Sequence, residues 1–172
     1  MMFRTHILFA IFFYLLTITI LSINPSITFV LILSFGAILP DIDHPKSFVN
    51  KNYLFGIGKG ISMFSTHRGF FHSVFGALIF FLISLLFIYF INISIIYPIA
   101  LLCGYLLHLL ADSFNVSGIK WFWKIGHING PIRTASMFEQ IFFFILIVLT
   151  FYLIIGNQGF HGITAFISKI KP

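Results

Sequence analysis

Val74-Phe-Gly-Ala-Leu-Ile-Phe-Phe-Leu-Ile-Ser-Leu-Leu-Phe-Ile-Tyr-Phe-Ile91 decides the fold. It carries no charge, and an uncharged apolar run of this length is a membrane-spanning helix. Apolar runs recur on either side of it. With the central run at 70–91 they cover about 7–23, 27–39, 95–110 and 138–155. The composition agrees: mean hydropathy is +1.07, with 59% of residues hydrophobic and 8% charged, which excludes a soluble globular domain. The expected fold is all-α, one membrane-embedded domain over residues 1–172, a multi-pass bundle of four to five transmembrane helices. The run 27–39 is the short one: 13 residues reach ~20 Å against a ~30 Å hydrocarbon core. It reads as a re-entrant arm or a full span. In both cases the chain goes in and comes back, so His6 and Asp41 end on the same side.

The connections set the orientation. Asn24-Pro25-Ser26 is a turn, with Ser26 placed to cap the next helix. Residues 43–66 and 113–135 read as polar loops, and the tail 156–172 as a segment lying along the interface. Arg4, Lys46, Lys51, Lys59, Arg68, Lys120, Lys124 and Arg133 fall on one face, while the opposite connections 22–26 and 92–97 are uncharged. Lys169 and Lys171 in the tail fall on the other side. By the positive-inside rule the N-terminus is expected in the cytoplasm and the C-terminus outside, in a cytoplasmic (inner) membrane. The formal charge of +6 is spread singly over loops, without a basic stripe or aromatic interleaving, so nucleic acid is not an expected partner. Membrane lipids are, and Trp121 and Trp123 suit an interfacial belt. Cys103 is the single cysteine, which excludes an internal disulfide and a thiolate zinc site.

The chain holds only four acidic residues, Asp41, Asp43, Asp112 and Glu139. Two lie in Leu39-Pro-Asp-Ile-Asp-His-Pro45, where Asp41, Asp43 and His44 offer several oxygens and one imidazole within a turn of irregular backbone. That is the start of a metal site, or else a helix stop with an Asx-turn and an N-cap. His108-x-x-x-Asp112 puts an imidazole and a carboxylate on one helix face. That pair serves as two ligands, or as a histidine bonded to a carboxylate at a helix C-terminus. His67 and His72 are five apart, about 140° on a continuous helix. Gly69 permits a break, with His67 pointing in from the loop and His72 from the first turn. Arg68 between them grips an anionic group or anchors to phosphate headgroups. Ser136-x-x-Glu139 is a capping box, or Glu139 is a further ligand or general base. His6 is a ligand or an interfacial residue, and His127 and His161 are surface residues.

With alternating direction through the bilayer, all of these except His127 and His161 come out on one face. The convergence of every carboxylate with several histidines points to a divalent metal. Asp41, Asp43, His67, His72, His108 and Asp112 are the expected ligands, with His6 behind them. Arg68, Glu139 and His44 are the catalytic candidates. Zinc is the first expectation and manganese or iron the next, with the number of ions open.

The same motifs carry a family resemblance. Leu39 to Ser47, His67-Arg-Gly-x-x-His-Ser73 and Gly104-Tyr-Leu-x-His108 with Asp112 are the specific segments; Thr5-His6, Gly118-Ile119 with Trp123, and Thr134-Ala-Ser-x-x-Glu139 are weaker ones. Across most of its length the chain resembles the YdjM-like family of inner-membrane proteins, inferred to be metal-dependent hydrolases. That family is similar in motif style to zinc-dependent phospholipase C enzymes, whose sites use His-x-x-x-Asp/Glu pairs. The chain departs at Phe71, where threonine is usual, at Asn115 near a usual threonine, at Lys124 for proline and at Ala135 for glycine. None of these removes a candidate ligand. The resemblance implies hydrolysis by metal-activated water, with a lipid or other amphiphilic phosphoester as substrate. The other readings are a metal-binding transporter and a non-catalytic structural membrane protein. Transport sites lie near mid-bilayer at broken helices, whereas the ionisable groups here cluster at helix ends.

Overall fold

The computed structural model describes residues 1–43, 70–123 and 125–170, with side chains for 1–41, 70–123 and 125–156. His44, His67 and Arg68 therefore lie outside the described residues, as does the side chain of Asp43. The elements run in order: α1 (Phe3–Leu21), α2 (Ile27–Gly36), a 3-10 turn (Leu39–Asp43), a second 3-10 turn (Phe70–His72), α3 (Val74–Ile91), α4 (Ile96–Ser113), β1 (Ile119–Phe122), β2 (Ile125–Ile128) and α5 (Met137–Ile170). Among the described residues, four helices are long and apolar enough to cross a membrane: α1, α3, α4 and the part of α5 over Met137–Gly156. The fold is a helical membrane bundle. The lipid-facing sides are plain on α3, where Leu82, Leu86, Phe87 and Phe90 are exposed in a stripe that no soluble surface would carry.

The fifth apolar run is the short arm. α2 has 10 residues, or ~15 Å of helix, so it covers about half of a hydrocarbon core. Ser26 caps it, accepting from the Phe29 amide at 3.3 Å. The arm is tied to the middle of α1, because the Ser26 amide donates to the Tyr14 hydroxyl at 2.8 Å and the Tyr14 ring stacks on Phe29.

From there α2 lies directly on α4, backbone to backbone. A Cβ on Gly104 would meet the Leu33 carbonyl oxygen at 2.0 Å, and one on Gly36 would meet that of Leu101 at 2.3 Å. Ala37 and Ala100 are fully buried beside them. Apolar lipid gives two helices no hydrophobic reason to associate. Small residues that let backbones approach therefore hold such contacts by packing.

Two sequence expectations are corrected. The tail is not a separate interfacial segment: α5 continues without a break at Gly156 for 34 residues, or ~51 Å. A glycine within a helix costs only about 1 kcal/mol, which a helix of this length absorbs. The segment 113–135 is more than a polar loop. It forms a two-stranded antiparallel hairpin with the pairs Ile119↔Ile128, Lys120↔His127 and Phe122↔Ile125. A bridge between Asn115 and Ile132 closes its base. The Asn115 side chain braces that base, donating to Thr134 Oγ1 at 2.7 Å and accepting from the Ser117 amide at 3.2 Å.

The α2–α4 contact gives a direct test. Gly104→Val is expected to lower stability in detergent by about 1–3 kcal/mol, the usual penalty for overpacking. Gly156→Ala, which meets nothing, should leave it unchanged or slightly raised. Thermal unfolding of both variants beside the wild type checks this. Equal melting temperatures for the two would remove the contact.

Candidate metal centre

Four pieces of local structure deliver the five functional side chains. His6 comes from the second turn of α1. Asp41 comes from the 3-10 turn that follows α2, and His72 from the 3-10 turn that precedes α3. His108 and Asp112 come from the last turns of α4. The His72 turn is clamped at both ends. Ser73 caps α3 and its hydroxyl donates back to the Phe70 carbonyl at 2.6 Å, while the Tyr105 hydroxyl donates to the Phe71 carbonyl.

The five side chains meet. His72 Nε2 lies 3.4 Å from Asp41 Oδ1, and His108 Nε2 lies 3.9 Å from the same oxygen. His108 Nε2 is 3.9 Å from Asp112 Oδ2, and His6 Nε2 is 3.4 Å from Asp112 Oδ1. The His6 and His108 rings stack with centroids 3.8 Å apart. His6, Asp41 and His108 form one triad with donor atoms within 4.8 Å of one another; His72, His108 and Asp112 form another. Because His108 belongs to both, the triads are parts of one cluster.

His108 is the best-held member. Its Nδ1 lies 2.8 Å from the Ala37 carbonyl oxygen. A carbonyl only accepts, so Nδ1 carries the proton and Nε2 presents its lone pair to the cluster. A partner of this kind on the outer nitrogen is what metal-ligating histidines have. His108 Nε2 and His6 Nδ1 are buried without a hydrogen-bond partner among the described residues. A buried imidazole nitrogen left bare is costly, and a cation is the natural complement.

Asp41 is the least buried of the five, its side chain 19% exposed against 0–3% for the others. The approach to the cluster is therefore from its side. Asp41 lies outside the four spans. Burial pushes its carboxyl up, but the imidazoles of His108, His72 and His6 reverse this and hold it well below the usual carboxylate range. Asp112 is not left bare either: the Met1 ammonium lies 2.6 Å from its Oδ1.

The structure thus brings together His6, Asp41, His72, His108 and Asp112. Glu139 stands apart from both triads. Oε1 accepts from the Met2 amide at 2.6 Å and from Thr5 Oγ1 at 3.1 Å, and Oε2 accepts from the Ala135 amide at 2.6 Å. Ser136 Oγ in turn accepts from the Glu139 amide at 3.3 Å. This is half of the anticipated capping box: Ser136 caps the helix, but the return bond from Glu139 goes to Ala135 and not to the Ser136 amide, and Glu139 clamps the starts of α5 and α1 together, one turn from His6. His127 is exposed in β2, as expected. Sequence reasoning missed Ala37 and Tyr105, which contribute a carbonyl and a hydroxyl to the supports of the cluster.

Fold and site together define a class: a multi-pass membrane protein with a buried imidazole–carboxylate cluster at one end of its helices. The chain belongs to the YdjM inner membrane protein family, which matches residues 1–169. Inner membrane protein YdjM of Escherichia coli (strain K12) is 40% identical over 89 residues, 50% of this chain and 44% of that protein. The protein of the same name from Shigella flexneri matches to the same extent. YvsG of Bacillus subtilis (strain 168), an uncharacterized protein, is 34% identical over 109 residues, 62% of this chain and 65% of its own length. The matched region thus spans less than half of the two YdjM proteins. No solved structure matches the chain.

The clamp predicts a stability effect. Glu139→Ala removes an acceptor serving three donors, and hydrogen bonds to a charged group are worth about 1.5–3 kcal/mol each on average. A loss of at least that size is expected in thermal unfolding, with faster amide exchange at the start of α1. Wild-type exchange there would show that Glu139 does not hold the helix.

Proposed function

We propose that the chain is a membrane-bound metal-dependent hydrolase, cleaving a phosphoester or other ester of a lipid-like substrate at the cytoplasmic membrane face. One observation carries this reading: two carboxylates and two imidazoles converge on His108, the five side chains coming from four segments, and its Nε2 is buried and bare among the described residues. The donor set fits a divalent cation. Nitrogen and oxygen donors without thiolate suit zinc first, then manganese or iron. His6, Asp41, His72, His108 and Asp112 would hold it, with Asp43 and His67 as further ligands from outside the described region. Bound there, such an ion supplies Lewis acidity that brings the pKa of a water from ~15.7 to ~7.

The chain's own residues supply the rest. Ala37 fixes the His108 tautomer, and the clamp at Glu139 sets the start of α1 and with it His6. Asp41 lies on the open side, where reactants enter. Arg68 is the proposed anion-binding group and His44 the proposed proton carrier. Glu139, with both oxygens engaged, is better suited to positioning than to general-base work.

Two features favour a lipid-like substrate. The cluster lies at the ends of helices long enough to span a membrane, where headgroups would be met. An apolar groove of about 430 Å³ runs between α1 and α4, lined by Phe13, Tyr14, Cys103, Leu107, Leu110 and Trp121. Leu107 and Leu110 in its lining come from the turns of α4 that also carry His108 and Asp112. The cytoplasmic orientation rests on the basic loops.

Metal analysis of purified protein tests the reading. Wild type is expected to retain a stoichiometric divalent metal, and His108→Ala and Asp112→Ala to lose most of it. Negligible metal in all three ends the enzyme proposal. With metal present, turnover is sought over phospholipids and soluble phosphodiesters, and flux in vesicles without ester cleavage would favour transport. For the orientation, a reporter fused after Pro172 is expected to read out as external. A cytoplasmic readout breaks the topology.

A further inference from the structure

The hairpin that follows α4 plays no part in the cluster, and its two faces differ. On β1 the alternation of a strand puts Ile119 and Trp121 on one side and Lys120 and Phe122 on the other. The first side is the packed one. Ile119 is buried against Tyr105 and Leu109, and Trp121 packs there with its Nε1 donating to Ser113 Oγ at 2.9 Å. The second side is open. Its register puts Phe122 opposite Ile125 at the turn and Lys120 opposite His127 one rung back. Phe122 is 56% exposed and Ile125 74%. The open face is thus an apolar rung next to a basic one.

The hairpin is held at the level where spans end. Ser113 is the last residue of α4, and Trp123 packs edge-on against Phe70, just before α3, with centroids 5.7 Å apart. Trp123 adopts a left-handed φ of 59° there. Charge on this stretch has one sign. Between Asp112 and Glu139 the sequence contains Lys120, Lys124 and Arg133 and not one carboxylate.

We propose that the open face of the hairpin docks on anionic phospholipid headgroups at the membrane boundary. Phe122 and Ile125 enter the upper acyl region, and Lys120 meets the phosphate layer. The order of the rungs is that of an interfacial element, apolar side chains at the leading end and a basic side chain behind them. A water-facing reading leaves an apolar cross-strand pair exposed at the turn without a partner among the described residues, whereas a bilayer would supply both an apolar layer and negative charge. The proposal stands apart from the metal reading and is tested without any activity.

The experiment uses the full chain in lipid nanodiscs. Cys103, the only cysteine, is replaced by serine. Phe122→Cys, and separately Ile125→Cys, is labelled with an environment-sensitive fluorophore, with Leu86→Cys on α3 as the lipid-facing reference. With phosphatidylglycerol present, both hairpin probes are expected to emit blue-shifted, to be quenched by a spin label high on the lipid chain, and to resist aqueous iodide. Lys120→Gln is expected to shift the docked-to-undocked ratio about fivefold toward undocked, the factor equivalent to ~1 kcal/mol for one basic side chain at an anionic surface. Phosphatidylcholine alone should act in the same direction. Iodide-accessible probes in either lipid overturn the proposal. So do probes shielded from iodide yet blind to the lipid quencher, which would mean a protein partner or a second copy. Lipid quenching that ignores both phosphatidylglycerol and Lys120→Gln overturns the headgroup recognition. Unchanged melting temperatures of the labelled variants separate these outcomes from misfolding.

Discussion

The closeness of α2 to α4 governs the centre of the molecule. At Gly36 and Gly104 the two backbones touch with no room for a single carbon between them. That approach brings the Ala37 carbonyl to within 2.8 Å of His108 Nδ1. Insert side chains, and the arm moves away from α4 by the width of a methyl group or more. The imidazole then loses the partner that sets its tautomer, and Asp41, four residues beyond Ala37, moves with the arm. Within a membrane this contact cannot be replaced by general apolar attraction, because lipid competes for apolar surface on equal terms. The order of dependence is therefore packing first, hydrogen bond second, cluster third.

Buried charge is the second constraint. A carboxylate within the hydrocarbon costs about 2.5–3.5 kcal/mol even on the lenient insertion scales, so each of the three carboxylates whose side chains are described needs partners. Asp112 meets the Met1 ammonium, His6 and His108; Asp41 meets His72 and His108; Glu139 is saturated by Met2, Thr5 and Ala135. The two carboxylates paired with histidines lie in the cluster, and the one saturated by amides and a hydroxyl lies in the frame. The division follows from the partners. Amide donors fix a carboxylate in place and use up its lone pairs. An imidazole can itself serve as a donor atom to a cation, so it leaves the site open to one.

Much of this was legible in the sequence. Spans declare themselves by uncharged length, and the caps at Ser26 and Ser136 by local chemistry. That His6, Asp41, His72, His108 and Asp112 share one end is read from direction alone, since alternating passes return every one of them to the same side. Distances did not follow, because they depend on how helices pack. The α2–α4 contact left a trace in Ala100-x-x-x-Gly104, the small-residue spacing of close helix pairs, but nothing in the spacing names the partner helix. The hairpin was hidden because only Ile119 and Trp121 mark its packed face, too short an alternation to stand out in a loop rich in glycine and lysine. The role of Ala37 was invisible in principle, since its contribution is a backbone carbonyl.

The shortness of α2 is more than a quirk of length. In a continuous helix each carbonyl is taken by the amide four residues on, and only the last turn has carbonyls to spare. α2 stops at Gly36, and the chain turns into a 3-10 segment in which the Asp41 amide bonds to the Ile38 carbonyl. The Ala37 carbonyl, released from that ladder, is the one that meets His108. A full-length span here would carry Ala37 in mid-helix with its oxygen occupied, and would set Asp41 on a helix face rather than in a turn facing three histidines. By ending at the depth of His108, the arm delivers a free acceptor and a carboxylate to the same place. Irregular backbone at this depth is tolerated because it is covered by protein and not by lipid. The same requirement explains why the polar cluster forms at the ends of helices, where chain breaks supply both spare backbone groups and the turns that hold Asp41 and His72.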